Sequence, residues 1–129
     1  MNTPAPGSTF DADYIRAYFR EVDAMRPDGL AAWYAPDGSF RFANADPVTG
    51  HAAIVSTLES FYATVASMHH RETGVWTDAD SGVFEAEVTF VTGDGRTVRL
   101  PAASILRVRD GYVRDFRFIM DASPLASPA

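Results

Sequence analysis

The chain contains neither cysteine nor lysine. Without thiols there is no disulfide, no thiolate nucleophile, and no Cys-ligated zinc or iron–sulfur site. Without lysine there is no Schiff-base chemistry. All eleven basic side chains are Arg, set against seventeen acidic ones, for a formal charge of −6. Arg scattered over an acidic chain does not make the concentrated basic surface that nucleic acid or an anionic membrane requires, so neither is expected as a partner. No apolar run approaches the roughly 18–20 residues of a membrane span, and the stretch from Met1 to Thr9 lacks the charged and apolar regions of a signal peptide. The expectation is a cytoplasmic protein.

The 129 residues, 47% hydrophobic and 12% aromatic, suit one folded domain with a real core. Residues 1–9 and 123–129 are rich in Pro, Ser and Ala and read as flexible tails, leaving one domain over 10–122. Asp11 is placed to cap a helix whose apolar positions Tyr14, Ile15, Tyr18, Phe19, Val22 and Met25 keep helical spacing, with Pro27 as its stop. Asp28 is placed to cap a short second helix carrying Leu30, Trp33 and Tyr34. A short strand over Ser39 to Asn44 follows. Asp46-Pro47 then turns the chain into a third helix, about Gly50 to Met68, with Ile54, Leu58, Phe61, Val65 and Met68 in one stripe.

After Met68 the apolar period falls to two. Strands are expected over His69–Thr77, Val83–Thr92, Arg96–Arg109 and Tyr112–Asp121. The order ααβαββββ indicates an α+β fold with helices packed on one face of an antiparallel sheet. The last two strands flank Asp110-Gly111, a pair suited to a tight hairpin because Gly adopts positive φ cheaply. Alternation then puts Phe116, Phe118 and Met120 on one face. Ser104 and Leu106 join them only if the hairpin carries a bulge residue, since a plain two-residue loop pairs Ile105 with Phe116.

With Tyr18, Pro27-Asp28-Gly29-Leu30, Trp33-Tyr34-Ala35, Val48-Thr49-Gly50 before Ala53-Ile54, and the closing segment from Asp110 to Asp121, the chain resembles the nuclear-transport-factor-2-like superfamily. Within it the likeness is to SnoaL-like and ketosteroid-isomerase-like proteins. The resemblance implies a cone-shaped, strongly curved sheet wrapped by the three helices around an apolar pocket. It also implies cofactor-free chemistry and a homodimer through the convex sheet face. Tyr18 falls where ketosteroid isomerases keep their oxyanion-donating tyrosine. Phe42 or a neighbour stands at their general-base Asp, and Ser104 at their protonated Asp, so isomerisation by that mechanism is not expected.

Four residues are the candidates for proton handling. His69 opens the first meander strand beside His70, so one ring should face the cavity and the other the outside; His69 is favoured, with His70 close behind. Tyr18, on the first helix's apolar stripe, is either a buried aromatic or an oxyanion donor. Asp46 and Asp121 are either turn or cap residues or bases at the cone's mouth. Trp33, Phe42, Tyr62, His70, Trp76, Ser104, Phe116, Phe118 and Met120 are the candidate substrate contacts. No metal site is expected, since adjacent His on a strand diverge. Two functions remain open: an enzyme isomerising, dehydrating or cyclising an apolar cyclic or polyketide-like substrate, and a non-catalytic ligand-binding or dimeric accessory protein.

Overall fold

The computed structural model describes residues 3–126. Three helices, α1 (Ala12–Asp23), α2 (Pro27–Ala31) and α3 (His51–Tyr62), pack on a six-stranded sheet. Its strands are β1 (Tyr34–Phe42), β2 (Val48–Thr49), β3 (Val65–Asp78), β4 (Ser81–Thr92), β5 (Thr97–Arg109) and β6 (Tyr112–Ile119), in the order β2-β1-β6-β5-β4-β3. Strands β3 to β6 pair consecutively and antiparallel, as their short turns require. The sheet is nevertheless mixed, because β1 lies parallel to β6. The fold is the expected α+β cone: a curved, unclosed sheet whose concave face the helices cover.

Local rules account for most of the element boundaries. Asp11 accepts a hydrogen bond from the Tyr14 amide at 2.9 Å and caps α1. Pro27 is the first residue of α2, where its missing N–H is harmless, so Asp28 falls inside the first turn and not at the cap. That helix ends earlier than the sequence suggests. Trp33 is already outside it, and its carbonyl accepts from the Val113 amide at 2.7 Å, which starts β1 at Tyr34 beside β6. Helix α3 also stops early, at Tyr62 instead of Met68. Thr64 turns its amide and hydroxyl back onto the Phe61 carbonyl, and Val65 and Met68 pair with β4 as strand residues.

Two bulges decide which side chains face inward. In β6, Arg114 is an extra residue: Val108 pairs with Val113, but Arg107 pairs with Asp115. Val113 and Phe116, three apart, therefore both point into the core, and Ser104 and Leu106 join Phe118 and Phe116 there. In β3 the register slips between Val65 and Ser67, so Val65 and Met68 are both buried and His70 follows Met68 inward. A second slip lies between Glu72 and Gly74. The inward face is filled by Phe84, Val88, Phe90, Leu106, Val113, Phe116 and Phe118 against Tyr14, Tyr18 and Phe19 of α1.

The described part of the N-terminal segment is docked rather than loose. The Gly7 amide donates to the Gly111 carbonyl at 2.9 Å, and the Tyr14 hydroxyl donates to the same oxygen at 2.8 Å. At the other end Ser123–Leu125 form a 3-10 turn whose carbonyls, with that of Ala126, receive the Arg96 guanidinium at 3.2–3.3 Å. The remaining tail residues, 1–2 and 127–129, lie outside the described residues.

Gly111 tests how much the docked N-terminus contributes. Gly111 and Gly95 both have positive φ, +83° and +89°, but a Cβ at Gly111 meets the Gly7 carbonyl carbon at 2.4 Å whereas one at Gly95 meets nothing within 4 Å. Both Ala substitutions carry the φ strain, expected to exceed about 1 kcal/mol. Gly111→Ala should lower the urea midpoint further than Gly95→Ala. Equal losses would mean that the N-terminal strap adds nothing.

Candidate active site

The cone interior holds a small apolar cavity of about 40 Å³ between the C-terminal ends of α1 and α3 and the concave faces of β1, β3 and β6. Its walls are aromatic. Phe40 stacks on Phe116 at 5.5 Å, Phe42 on Phe118 at 5.2 Å, and Phe61 closes on Phe42 at 4.8 Å. Three polar side chains enter this lining: Tyr18, Tyr62 and His70.

His70 is the best-built group of the three. Its ring is only 3% exposed, and its Nδ1 lies 2.7 Å from Asp23 Oδ1. The backbone amide of His70 donates to the other carboxylate oxygen at 2.9 Å. A carboxylate only accepts, so Nδ1 carries a proton, and in the neutral imidazole Nε2 presents a lone pair. That Nε2 is buried and has no protein partner among the described residues. The Tyr62 hydroxyl, at the last residue of α3, is the second buried polar atom without a protein partner. Burial, then the charges of Asp23 and Glu21, push its pKa far above the usual phenol value, so it stays a protonated donor.

Leaving a buried polar atom unpaired costs about 1–3 kcal/mol. Burying one aromatic side chain contributes about the same, so the fold can carry two such atoms. Both residues line the same cavity.

Tyr18 contributes its ring to the wall, but its hydroxyl is engaged. It shares a 2.6 Å hydrogen bond with the Tyr34 hydroxyl, and both are fully buried. Two hydroxyls hold two protons and one mutual bond, so one O–H remains free to donate elsewhere. Burial raises both pKa values well above the ordinary phenol value.

The other expected site residues separate. His69 is a correction: its ring is 76% exposed on the outer side, 3.7 Å from Asp23, because the slip after Val65 sends His70 and not His69 inward. A Tyr18–His69 pair therefore does not form. Asp46 is exposed in the loop after β1, away from the cavity. Asp121 is exposed after β6 and accepts from the Ser123 amide at 3.0 Å, a bond that holds its pKa below the usual carboxylate range. It is a turn carboxylate.

Phe42, Tyr62, His70, Phe116 and Phe118 line the cavity. Trp33 is buried behind α1 against Tyr14 and Tyr18, outside the lining. Ser104 and Met120 are buried but do not reach the lining, and Trp76 is 58% exposed on the outer face of β3. Among the described residues, no group of three or more His, Asp or Glu is arranged to hold a metal ion. No helix among them is long and apolar enough to cross a membrane.

Sequence reasoning missed Asp23. Its signal is present but quiet: an acidic residue in the last turn of a helix, where the helix dipole disfavours it, placed four residues after Phe19 on the edge of the apolar stripe.

Residues 15–116 match the SnoaL-like domain, and the chain belongs to that family. Comparison with curated proteins yields no match. Among solved structures, the fold is similar to an NTF2-like protein of unknown function from Burkholderia pseudomallei. That similarity has 15% identity, 86% of this chain and 90% of that one covered, and a TM-score of 0.78. It is also similar to a protein from Xanthomonas campestris described as a candidate polyketide cyclase, at 21% identity, 85% and 89% coverage, and a TM-score of 0.77. A Mycobacterium tuberculosis LEH-like epoxide hydrolase aligns at 15% identity, 84% and 80% coverage, and a TM-score of 0.70. At these identities the likeness concerns the fold alone.

The buried tyrosines set an alkaline limit on stability. Tyr14, Tyr18, Tyr34 and Tyr62 all have pKa values raised by burial. Below the unfolded value of about 10 both states hold these protons, so stability is flat in pH. Above it the unfolded chain releases protons that the folded one retains, and stability falls as pH rises. Urea midpoints should agree at about pH 8 and pH 9 and drop sharply by about pH 11, with tyrosinate absorbance appearing together with unfolding.

Proposed function

We propose that the chain is a cofactor-free acid/base enzyme acting on a small apolar cyclic molecule held in the cone, with His70 as general base, Asp23 as its orienting partner and Tyr62 as proton donor. The observation that carries this reading is the Asp23–His70 pair, whose Nε2 lone pair has no protein partner in an apolar cavity. Asp23 fixes the tautomer and favours the imidazolium that forms when Nε2 takes a proton. Tyr62 supplies a hydrogen bond where negative charge develops on substrate oxygen, in a site dry enough for that bond to be strong. One base and one acid facing the same small space suit enolisation, isomerisation or elimination of water. The Tyr18–Tyr34 pair supports the wall and offers a second donor.

The general-base role is testable without the natural substrate. A single-ring isoxazole with a free C3–H and an electron-withdrawing substituent opens when a base removes that C–H proton: the C=N becomes a nitrile, the N–O bond breaks, and the electron pair leaves on enolate oxygen. The wild-type protein should accelerate this opening. His70→Gln should lose about a hundredfold of the acceleration, and Asp23→Asn a smaller part. His69→Ala should leave it unchanged. Equal rates for His70→Gln and wild type would remove the base assignment.

A second reading, a dimeric accessory protein without turnover, draws on the narrowness of the cavity. Its 40 Å³ lies far below the roughly 300–1,000 Å³ of ordinary ligand sites. Under either reading we propose a homodimer through the convex sheet face. Ile119 is 52% exposed there, beside Pro101 and Ala103 and between the charged side chains Arg71, Glu85, Glu87 and Arg99. Light scattering should give twice the chain mass for the wild type and the single mass for Ile119→Arg. A monomeric wild type would overturn the proposal.

A further inference from the structure

We infer that the cavity selects an uncharged, single-ring molecule bearing a hydroxyl, of phenol or cyclic-enol type, which donates to His70 Nε2 and accepts from the Tyr62 hydroxyl. This rests on the reading of the cavity as a ligand site but not on turnover. The donor requirement follows from the tautomer. Asp23 accepts a hydrogen bond from Nδ1–H, so in the neutral ring Nε2 can only accept, and a ligand lacking O–H or N–H leaves it buried and unpaired. Tyr62 is the opposite pole: with its pKa driven up by burial and by Asp23 and Glu21, its proton is available to an oxygen. A hydroxyl satisfies both, giving its proton to one and a lone pair to the other.

The neutrality requirement follows from what surrounds these atoms. The lining contains no Arg or Lys, and an anion there enters the negative field of Asp23 and Glu21. A cation finds Asp23 already occupied, one oxygen by the His70 ring and the other by the His70 amide. Either ion loses its water without a full partner.

The size limit follows from volume. A void of about 150 Å³ accommodates benzene, and this one is about 40 Å³. Even one ring must displace lining side chains, the half-buried Val22, Phe61 and Phe42 being the freest to move. Each further fused ring adds a comparable volume against walls of stacked phenyl groups.

Phenol, toluene, benzoate and trimethylammonium are the probes, titrated into the full chain and read from the His70 ring nitrogen and methyl shifts by NMR. Phenol and toluene are nearly isosteric, and a purely apolar cavity prefers toluene because phenol is better hydrated. The expected order is reversed, with phenol at least about fivefold tighter than toluene. Tyr62→Phe should narrow that gap about fivefold without weakening toluene. Benzoate and trimethylammonium should bind at least about tenfold more weakly than phenol.

Toluene binding as tightly as phenol would overturn the donor requirement while leaving the cavity as a ligand site. A charged probe matching phenol would overturn neutrality. If none of the four binds, both this inference and the ligand-site reading fall. Phenol selectivity together with an inert His70 in the isoxazole assay would leave this inference standing and remove only catalysis.

Discussion

The carboxylate of Asp23 accepts two hydrogen bonds from one residue, the ring and the backbone amide of His70, and that bidentate contact ties the end of α1 to β3 at the edge of the sheet. Three consequences follow. The amide of an edge strand, otherwise unpaired, is satisfied by the helix instead of by another strand. The imidazole is held in one tautomer, so the nitrogen inside the cavity is an acceptor. The negative charge sits where the helix dipole disfavours it, and the hydrogen bonds from His70 offset that penalty.

The contact works only because strand parity is adjusted elsewhere. A strand without bulges sends alternate residues to opposite faces, and β3 and β6 both break that rhythm. The slip after Val65 keeps Met68 and His70 inside. The extra residue Arg114 lets Val113, Phe116 and Phe118 all point inward, which places the rings that stack on Phe40 and Phe42. Bulges also increase local twist, and twist gives the sheet its curvature. The interior that results is well packed, so its remaining cavity is small and only three polar side chains line it.

Family membership and site chemistry carry different information here. The SnoaL-like match spans most of the chain and defines the architecture. Its solved neighbours include proteins described with quite different activities, as expected of a fold whose function lies in the few groups placed inside it. In this chain the polar side chains in the cavity lining are His70, Tyr62 and Tyr18, with Asp23 behind the first.

From the sequence alone, periodicity determined the element order, the cap at Asp11, the hairpin at Asp110-Gly111 and the inward set Phe116, Phe118 and Met120, because these depend on neighbours a few residues apart. The resemblance carried by the closing segment determined the cone. The parallel pairing of β1 with β6, the early ends of α2 and α3, and the register of β3 were decided by contacts between residues far apart in the chain. Thr64 and Trp33 end helices or start strands because of the partners waiting for them. The choice between His69 and His70 was decided in the same way. Adjacent residues on a strand differ only in parity, and parity was set by a bulge that no local spacing announces. Asp23 stands 47 residues from His70, so only the packing of α1 against the edge strand could bring the two into contact.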